Sequence, residues 1–333
     1  KVAFKAPGFT RVSRRRTERT DDPFWSEIAR WSREEVAAAA QHVLEQAVVQ
    51  FVQHWVAETG CRNVALAGGT FANVKLNQRI NDTGAVDNLW VLPHMGDGGL
   101  AAGAALGAVG AAPRLIPHAA WGPEYSARDM HKALDRGALP HPDLGRKQIE
   151  GMRGDVHRVA TLLTEGKVVA RFSGRMEWGP RALCQRSVLA RANDPSINQW
   201  LNDKLQRSEF MPFAPVVRAE DAPRYFQGYE SAARAARFMT CCFDVTPLFK
   251  EHAPAAVHVD GTARPQFVDA ETLPHLHAVL TRLGELTGAP VLINTSFNLH
   301  EEPIVCTPSD AVRAFQQARL DGLWMGPYVA ERP

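Results

Sequence analysis

At 333 residues, with 45% hydrophobic and 22% charged side chains, the chain is long enough for two ordinary globular domains, and a formal net charge of +2 selects no polyanionic partner. Five cysteines, Cys61, Cys184, Cys241, Cys242 and Cys306, are odd in number and form no CxxC pair, which argues against a disulfide framework or zinc cage and fits a reducing cytoplasm. There is no run of 18 apolar residues, no signal-like segment and no initiating Met, so no membrane partner is expected and the chain reads as a processed or truncated product.

The basic cluster Arg11, Arg14, Arg15, Arg16 and Arg19 is short and reads as a solvated segment, so nucleic acid is not expected as a partner. From Glu34 to Thr59 apolar residues recur at the spacing of one helical face, with a Ser32/Glu35 capping box before them and Gly60 after. A short strand over 63–67 leads into Gly68-Gly69-Thr70 and a helix ending at Ile80. A second strand, 89–92, leads into His94-Met95-Gly96-Asp97-Gly98-Gly99 and a small-residue helix over 100–109. Glycines thus stand at both strand-to-helix junctions, where open α/β sheets hold ligands. Residues 113–150, punctuated by Pro and Gly, read as a linker. A second α/β unit follows: helices over 153–165, 195–206, 272–287 and 308–318, and strands over 167–172, 187–190, 213–218, 238–245, 290–293 and 322–329.

The chemistry concentrates after the strand ending at Phe172. Ser173 to Ser187 sets Arg175, Arg181 and Arg186 around a Gly-Pro turn among mostly apolar, small or turn-forming residues. Guanidinium groups stay charged and bind phosphate or carboxylate bidentately, so this loop is a candidate cradle for phosphoryl oxygens. Lys204 and Arg207, ahead of the apolar run Phe210–Pro215, are candidates for the same anion. His258, Asp260, Thr262 and Arg264 surround one glycine turn. Asn294, Thr295, Ser296 and Asn298 gather at a strand's carboxyl end, the usual place for a bound nucleotide. In the first unit Gly68, Gly69, Gly96 and Gly98 allow close approach to the backbone, with Asn73 beside them. Asp97 is either a metal ligand or a helix cap. No GxSxG, HExxH or P-loop occurs, so the site reads as positioning plus electrostatics, fitting phosphoryl or adenylyl chemistry.

Taken together, Arg175-Met-Glu-Trp-Gly-Pro-Arg181-Ala-Leu with Arg186-Ser, Glu209-Phe-Met-Pro-Phe-Ala-Pro215, His258-Val-Asp-Gly-Thr-Ala-Arg264 and Asn294-Thr-Ser-Phe-Asn298 resemble the O-carbamoyltransferases of the NodU, cephamycin and tobramycin type. The resemblance implies an α/β fold in three parts: residues 1–112 as the C-terminal half of an actin/hexokinase-like (ribonuclease H-like) domain, 113–150 as linker, and 151–333 as a YrdC-like domain. It implies that carbamoyl phosphate and ATP, with Mg, become carbamoyl adenylate, and that the carbamoyl group passes to a hydroxyl of a small-molecule acceptor. It makes Asp97 a ligand of an iron-type metal. The family's HxxxH pair is absent from these 333 residues, so a missing N-terminal half, or a second chain supplying it, is expected. Many relatives carry a Lys one turn before the Pro-Phe-Ala-Pro run and an Arg where Met211 stands; here the nearest cations are Lys204 and Arg207. Two other readings share the motifs: a non-catalytic nucleotide-binding or regulatory module, and an enzyme of tRNA threonylcarbamoylation.

Overall fold

A reciprocal cap opens the first long helix, α1 (Arg33–Thr59): Ser32 Oγ accepts from the Glu35 amide, the Glu35 carboxylate accepts from the Ser32 amide, and Gly60, in the left-handed region at φ 67°, ends the helix. This computed structural model describes residues 2–5, 8–11, 23–110, 116–206 and 212–332, with side chains from residue 26 onward. Arg207 and the basic cluster near the N-terminus lie outside the described side chains.

In the first unit β1 (Asn63–Leu66), α2 (Val74–Asn81) and β2 (Asn88–Val91) form a crossover with parallel pairing, and α3 (Gly98–Val109) follows. Next comes α4 (Ala127–Arg136), inside the segment expected to be a linker. Its Ser126/Asp129 capping box starts it, and Met130 and Leu134 are buried. The second unit contains α5 (Gly154–Thr164), β3 (Val169–Phe172), β4 (Arg186–Arg191), α6 (Ser196–Leu205), β5 (Ala214–Arg218), β6 (Gln266–Val268), α7 (Pro274–Thr287), β7 (Val291–Ser296), α8 (Pro308–Ala318), β8 (Gly322–Met325) and β9 (Tyr328–Glu331). Its seven-stranded mixed sheet runs β6-β5-β7-β4-β3-β8-β9, with only β6/β5 and β8/β3 parallel.

Alternation along the strands sorts side chains between two cores. Val169, Leu189, Val216 and Leu292 face α5 and α7, whereas Ala170, Phe172, Val188 and Ile293 belong to the core on the other face, which also takes in α8. Both faces are therefore covered, which explains why these strands read as continuous apolar runs. Two expected strands differ. Only Phe243–Val245 of 238–245 is extended, because Met239 takes a left-handed φ of 54° after a helical turn. The last strand is a hairpin, turned at Gly326 with φ 57°.

Helix α2 joins the units. Leu76 and Ile80 are fully buried, and Asn77 donates to the Phe71 and Thr240 carbonyls at 2.8 and 2.7 Å. Asn81 donates to the Gly228 carbonyl, Gln78 to the Asp244 carboxylate, and the Cys242 amide to the Val74 carbonyl. Substituting Asn77 by Ala leaves two buried carbonyls without that donor. We expect Asn77→Ala to lower unfolding free energy by about 2 kcal/mol in urea titrations; an unchanged midpoint would show that the two units do not depend on this bond.

Candidate functional site

The loop between β3 and β4 is folded around Glu177. The side chain is buried, and its Oε1 accepts from the amides of Leu183 (2.7 Å), Gln185 (2.7 Å) and Arg186 (3.1 Å). Burial pushes the carboxyl above the usual carboxylate range, and the backbone donors pull the other way without cancelling it. The segment before α4 supplies the outer wall: the Gly122 amide donates to the Met176 carbonyl, the Trp178 amide donates to the Ala119 carbonyl, and the Trp121 and Trp178 rings stack at 4.7 Å. Trp178 also meets His94 of the first unit at 5.2 Å. Gly179, at φ 130°, lets the turn close on the Pro93 carbonyl, which would stand 3.1 Å from a Cβ.

The three arginines go to three places. Arg175 is exposed, donates to the Trp121 carbonyl, and lines a cavity of about 230 Å³ with Glu177, Gln185, Arg237, Phe238, Gln266 and Phe267. Arg181, half-buried, lies toward the junction of the units: together with Arg264 and Lys75 it acts on the buried Cys242 thiol, which burial pushes up to about 12 and these cations pull down. Arg186 departs from the expected cradle. It is fully buried, donates to the carbonyls of Ser173 (2.8 Å), Gln185 (3.0 Å) and Gly174 (3.1 Å), and lies 3.6 Å over the Phe172 ring, so it is a strut beneath the loop.

Lys204 departs too. It lies over Trp200 and lines a recess with Thr164, Lys167, Arg191 and Asp194 at the other end of the strands. The span of β4 from Arg186 to Arg191, about 17 Å at 3.3–3.4 Å per residue, separates that recess from the Arg loop.

At the junction His258 Nδ1 is 3.0 Å from Thr262 Oγ1, and that hydroxyl donates to Asp260 Oδ1 at 2.7 Å. The hydroxyl proton being committed, Nδ1 is the donor and His258 Nε2 keeps a free lone pair. Lys75 Nζ is 2.6 Å from Asp260 Oδ2. Asn294 is buried, donates to the Ala182 carbonyl at 2.8 Å and so holds the Arg loop from β7. Thr295 and Ser296 are half-buried at the end of β7, where Ser296 pairs with Ser187, and Asn298 ties its own turn through the Leu299 and Glu302 carbonyls. Sequence reasoning missed Glu177, Lys75 and Arg237. An acid flanked by Met176 and Trp178 was a usable signal for the first; Lys75 on a polar helix carried none.

In the first unit the two glycine turns sit side by side, joined by Gly68 N donating to the Met95 carbonyl at 2.7 Å. Gly68 holds φ 111°, and Gly68 and Gly69 are exposed. Gly96 is half-buried. Gly98 is small for a packing reason, since a Cβ there would fall 1.9 Å from His94 Nε2. Asn73 caps α2 through the Leu76 amide and exchanges hydrogen bonds with Gln41. Asp97 is exposed and makes no cap bond. Among the described residues the His/Cys/Asp/Glu groups close enough to share a metal do not include it, so Asp97 stands there as a single carboxylate.

Two outcomes follow. Glu177→Ala orphans three amides and should cost about 3–5 kcal/mol of stability, whereas Glu177→Gln, keeping the acceptor, should cost much less; equal losses in denaturant would dismiss the organising role. Asp260 is burdened by burial, yet Lys75 and Thr262 hold it at about 2, down from its ordinary 3.8. Its folded value being the lower, its stabilisation is complete above the unfolded value and fades as pH falls toward 2. The drop in melting temperature between about pH 5 and about pH 3 should shrink in Lys75→Met; identical pH profiles would contradict the ion pair.

The profile described as Carbamoyltransferase C-terminus matches residues 160–332, and that of Carbamoyltransferase N-terminus matches 9–106. Nodulation protein NolO of Bradyrhizobium diazoefficiens is 34% identical over 307 residues, covering 90% of this chain and 55% of that protein. Nodulation protein U of Rhizobium tropici is 35% identical over 265 residues, covering 80% and 43%. The chain spans about half the length of the curated relatives it matches. Among solved structures, full-length HypF in a phosphate- and nucleotide-bound form gives a TM-score of 0.35 at 19% identity over 54% of this chain and 21% of that one. A Sua5 variant of P. abyssi gives 0.37 at 14% identity over 54% and 50%. On the family matches, this α/β chain belongs to the carbamoyltransferase family.

Proposed function

We propose that the chain forms carbamoyl adenylate from carbamoyl phosphate and ATP, as part of a longer O-carbamoyltransferase that passes the carbamoyl group to a hydroxyl acceptor. Beyond family membership, one observation carries the reading: Arg181 and Arg264 of the second unit and Lys75 of the first all act on one buried thiol, so three cations converge at the junction. With Asp260 paired to Lys75 among them, this group of cations suits a triphosphate or carbamoyl phosphate, whose oxygens guanidinium groups bind in pairs. Chemical balance asks for water to release phosphate from carbamoyl phosphate and for the resulting carbamate oxygen to displace pyrophosphate from the α-phosphorus of ATP. Arg181 and Arg264 would hold the anionic groups, and His258 Nε2 would accept a hydrogen bond beside them. The cavity at Arg175, walled by Phe238 and Phe267 with Gln266 as an amide, offers the apolar face and polar edge a nucleobase uses. Mg2+ would enter with the nucleotide.

In this reading the transfer site is completed by chain outside these residues. The exposure of Leu100 (70%), Leu106 (51%) and Val109 (72%) on different sides of α3 supports it, as a helix apolar all round is ordinarily covered. A cytoplasmic setting, where ATP is available, is part of the same proposal.

Carbamoyl-phosphate-dependent exchange of labelled pyrophosphate into ATP tests the reading. No exchange above background in either this chain or its full-length parent would refute it. Arg181→Ala should weaken binding of ATP or carbamoyl phosphate by about 1.5–3 kcal/mol, roughly ten- to a hundredfold, with Lys restoring only part. Arg186→Ala should instead lower the melting temperature, since its bonds are internal. Should Arg181→Ala and Arg181→Lys both bind like the native chain in calorimetry, the cradle is elsewhere.

A further inference from the structure

Helix α4 places His131 and Asp135 one turn apart, so both side chains leave the same face. The chain then reverses at Gly137, where a Cβ would lie 2.4 Å from Val312 Cγ1, and passes through Ala138 in the left-handed region at φ 52°. Leu139 N donates to the Leu134 carbonyl at 3.1 Å, and the return delivers His141 above His131. His141 Nδ1 lies 2.6 Å from the Leu139 carbonyl, which can only accept, so Nδ1 carries the proton and Nε2 presents a lone pair. That Nε2 is 2.7 Å from His131 Nδ1 and 3.6 Å from Asp135 Oδ1, while His131 Nε2 is 3.5 Å from Asp135 Oδ2. Tyr328 walls the group, its ring 5.6 and 5.5 Å from the two imidazoles.

We propose that His131, Asp135 and His141 form a site for a divalent transition metal of the zinc or cobalt class, separate from the anion cradle. A tetrahedral ion with bonds of about 2.0 Å sets its ligand atoms about 3.3 Å apart. The His141–Asp135 separation already matches, and the two imidazoles need to part by about half an ångström. Two imidazoles and a carboxylate suit zinc, cobalt or nickel, and the exposed side of the group leaves a fourth position to water. The Leu139 carbonyl behind His141 is the outer partner that metal-bound imidazoles ordinarily have. The bound ion ties the return segment to α4, and two residues on Asp143 bridges Tyr328 on the edge strand β9.

The test uses the untagged full chain stripped with chelator. Cobalt(II) is titrated by visible absorption, and zinc by competition with a chromophoric chelator. The native chain should take up one equivalent with a tetrahedral cobalt spectrum, and zinc should raise its melting temperature. Asp135→Asn and His141→Gln should each weaken the metal by at least about tenfold and abolish that rise. Asp135 is exposed, so Asp135→Asn should melt like the native chain without metal and can decide alone if His141→Gln fails to fold. Equal metal uptake by native chain and Asp135→Asn would overturn the proposal, as would no uptake by the native chain, leaving a hydrogen-bonded histidine pair only.

Discussion

The Glu177 carboxylate, closed off from water and holding three backbone amides through one oxygen, is the constraint from which the open edge of the second unit follows. A long excursion between two antiparallel strands has no ladder to pair its amides, and buried amides left unpaired cost about 1–3 kcal/mol each. One acceptor answers three of them. Placing an acid there has a cost in desolvation, visible in the upward shift of its own carboxyl, and Arg186 beneath the loop offsets part of it by charge. The acid and its buried arginine therefore form a scaffold, and Arg175 and Arg181 leave the loop outside it.

A second consequence concerns where charge accumulates. Lys75 reaches the junction only because α2 is wedged into the second unit by Leu76, Asn77 and Ile80. Asp260 takes up part of the positive charge through its 2.6 Å contact with Lys75, but Arg181 and Arg264 lie nearby as well. Like charges gathered at a partly buried junction raise the energy of the empty site and lower that of the site filled by an anion, which is how fixed electrostatics is spent on binding. Under the proposed function, the docking of the two units and the affinity for the anion are one property.

Much of the architecture was legible because its signals are local. The Ser32/Glu35 cap, Gly60, the glycines after β1 and β2 and the apolar runs of the second sheet act over a few residues. Helix α4 was hidden by the prolines and glycines around it, although its Ser126/Asp129 box is written in the sequence. Strand register was not legible. It decides that Arg186 pairs with Phe172 and turns inward, and it sends Lys204, close in sequence to the Phe213 run, to the far end of the strands. Lys75 escaped notice for the same reason, since its role arises from packing between units and not from its neighbours in the chain.

Backbone conformation explains why three guanidinium groups in one loop do not share a destination. Each follows a left-handed residue by one or two positions: Gly174 at φ 55° before Arg175, Gly179 at φ 130° before Arg181, and Cys184 at φ 74° before Arg186. Two of these residues are glycines, for which the conformation costs little; at Cys184 it costs about 1–2 kcal/mol. There the surroundings hold the residue in place. Its amide donates to Ser187 Oγ, its thiol donates to Gln266 Oε1 at 3.1 Å, and Asn294 reaches the same oxygen at 3.3 Å. Burial keeps that thiol protonated far above the ordinary range, so it serves as a donor and not as a nucleophile. Each reversal turns the chain before an arginine, and the three directions that result are a cavity, a junction and a buried strut.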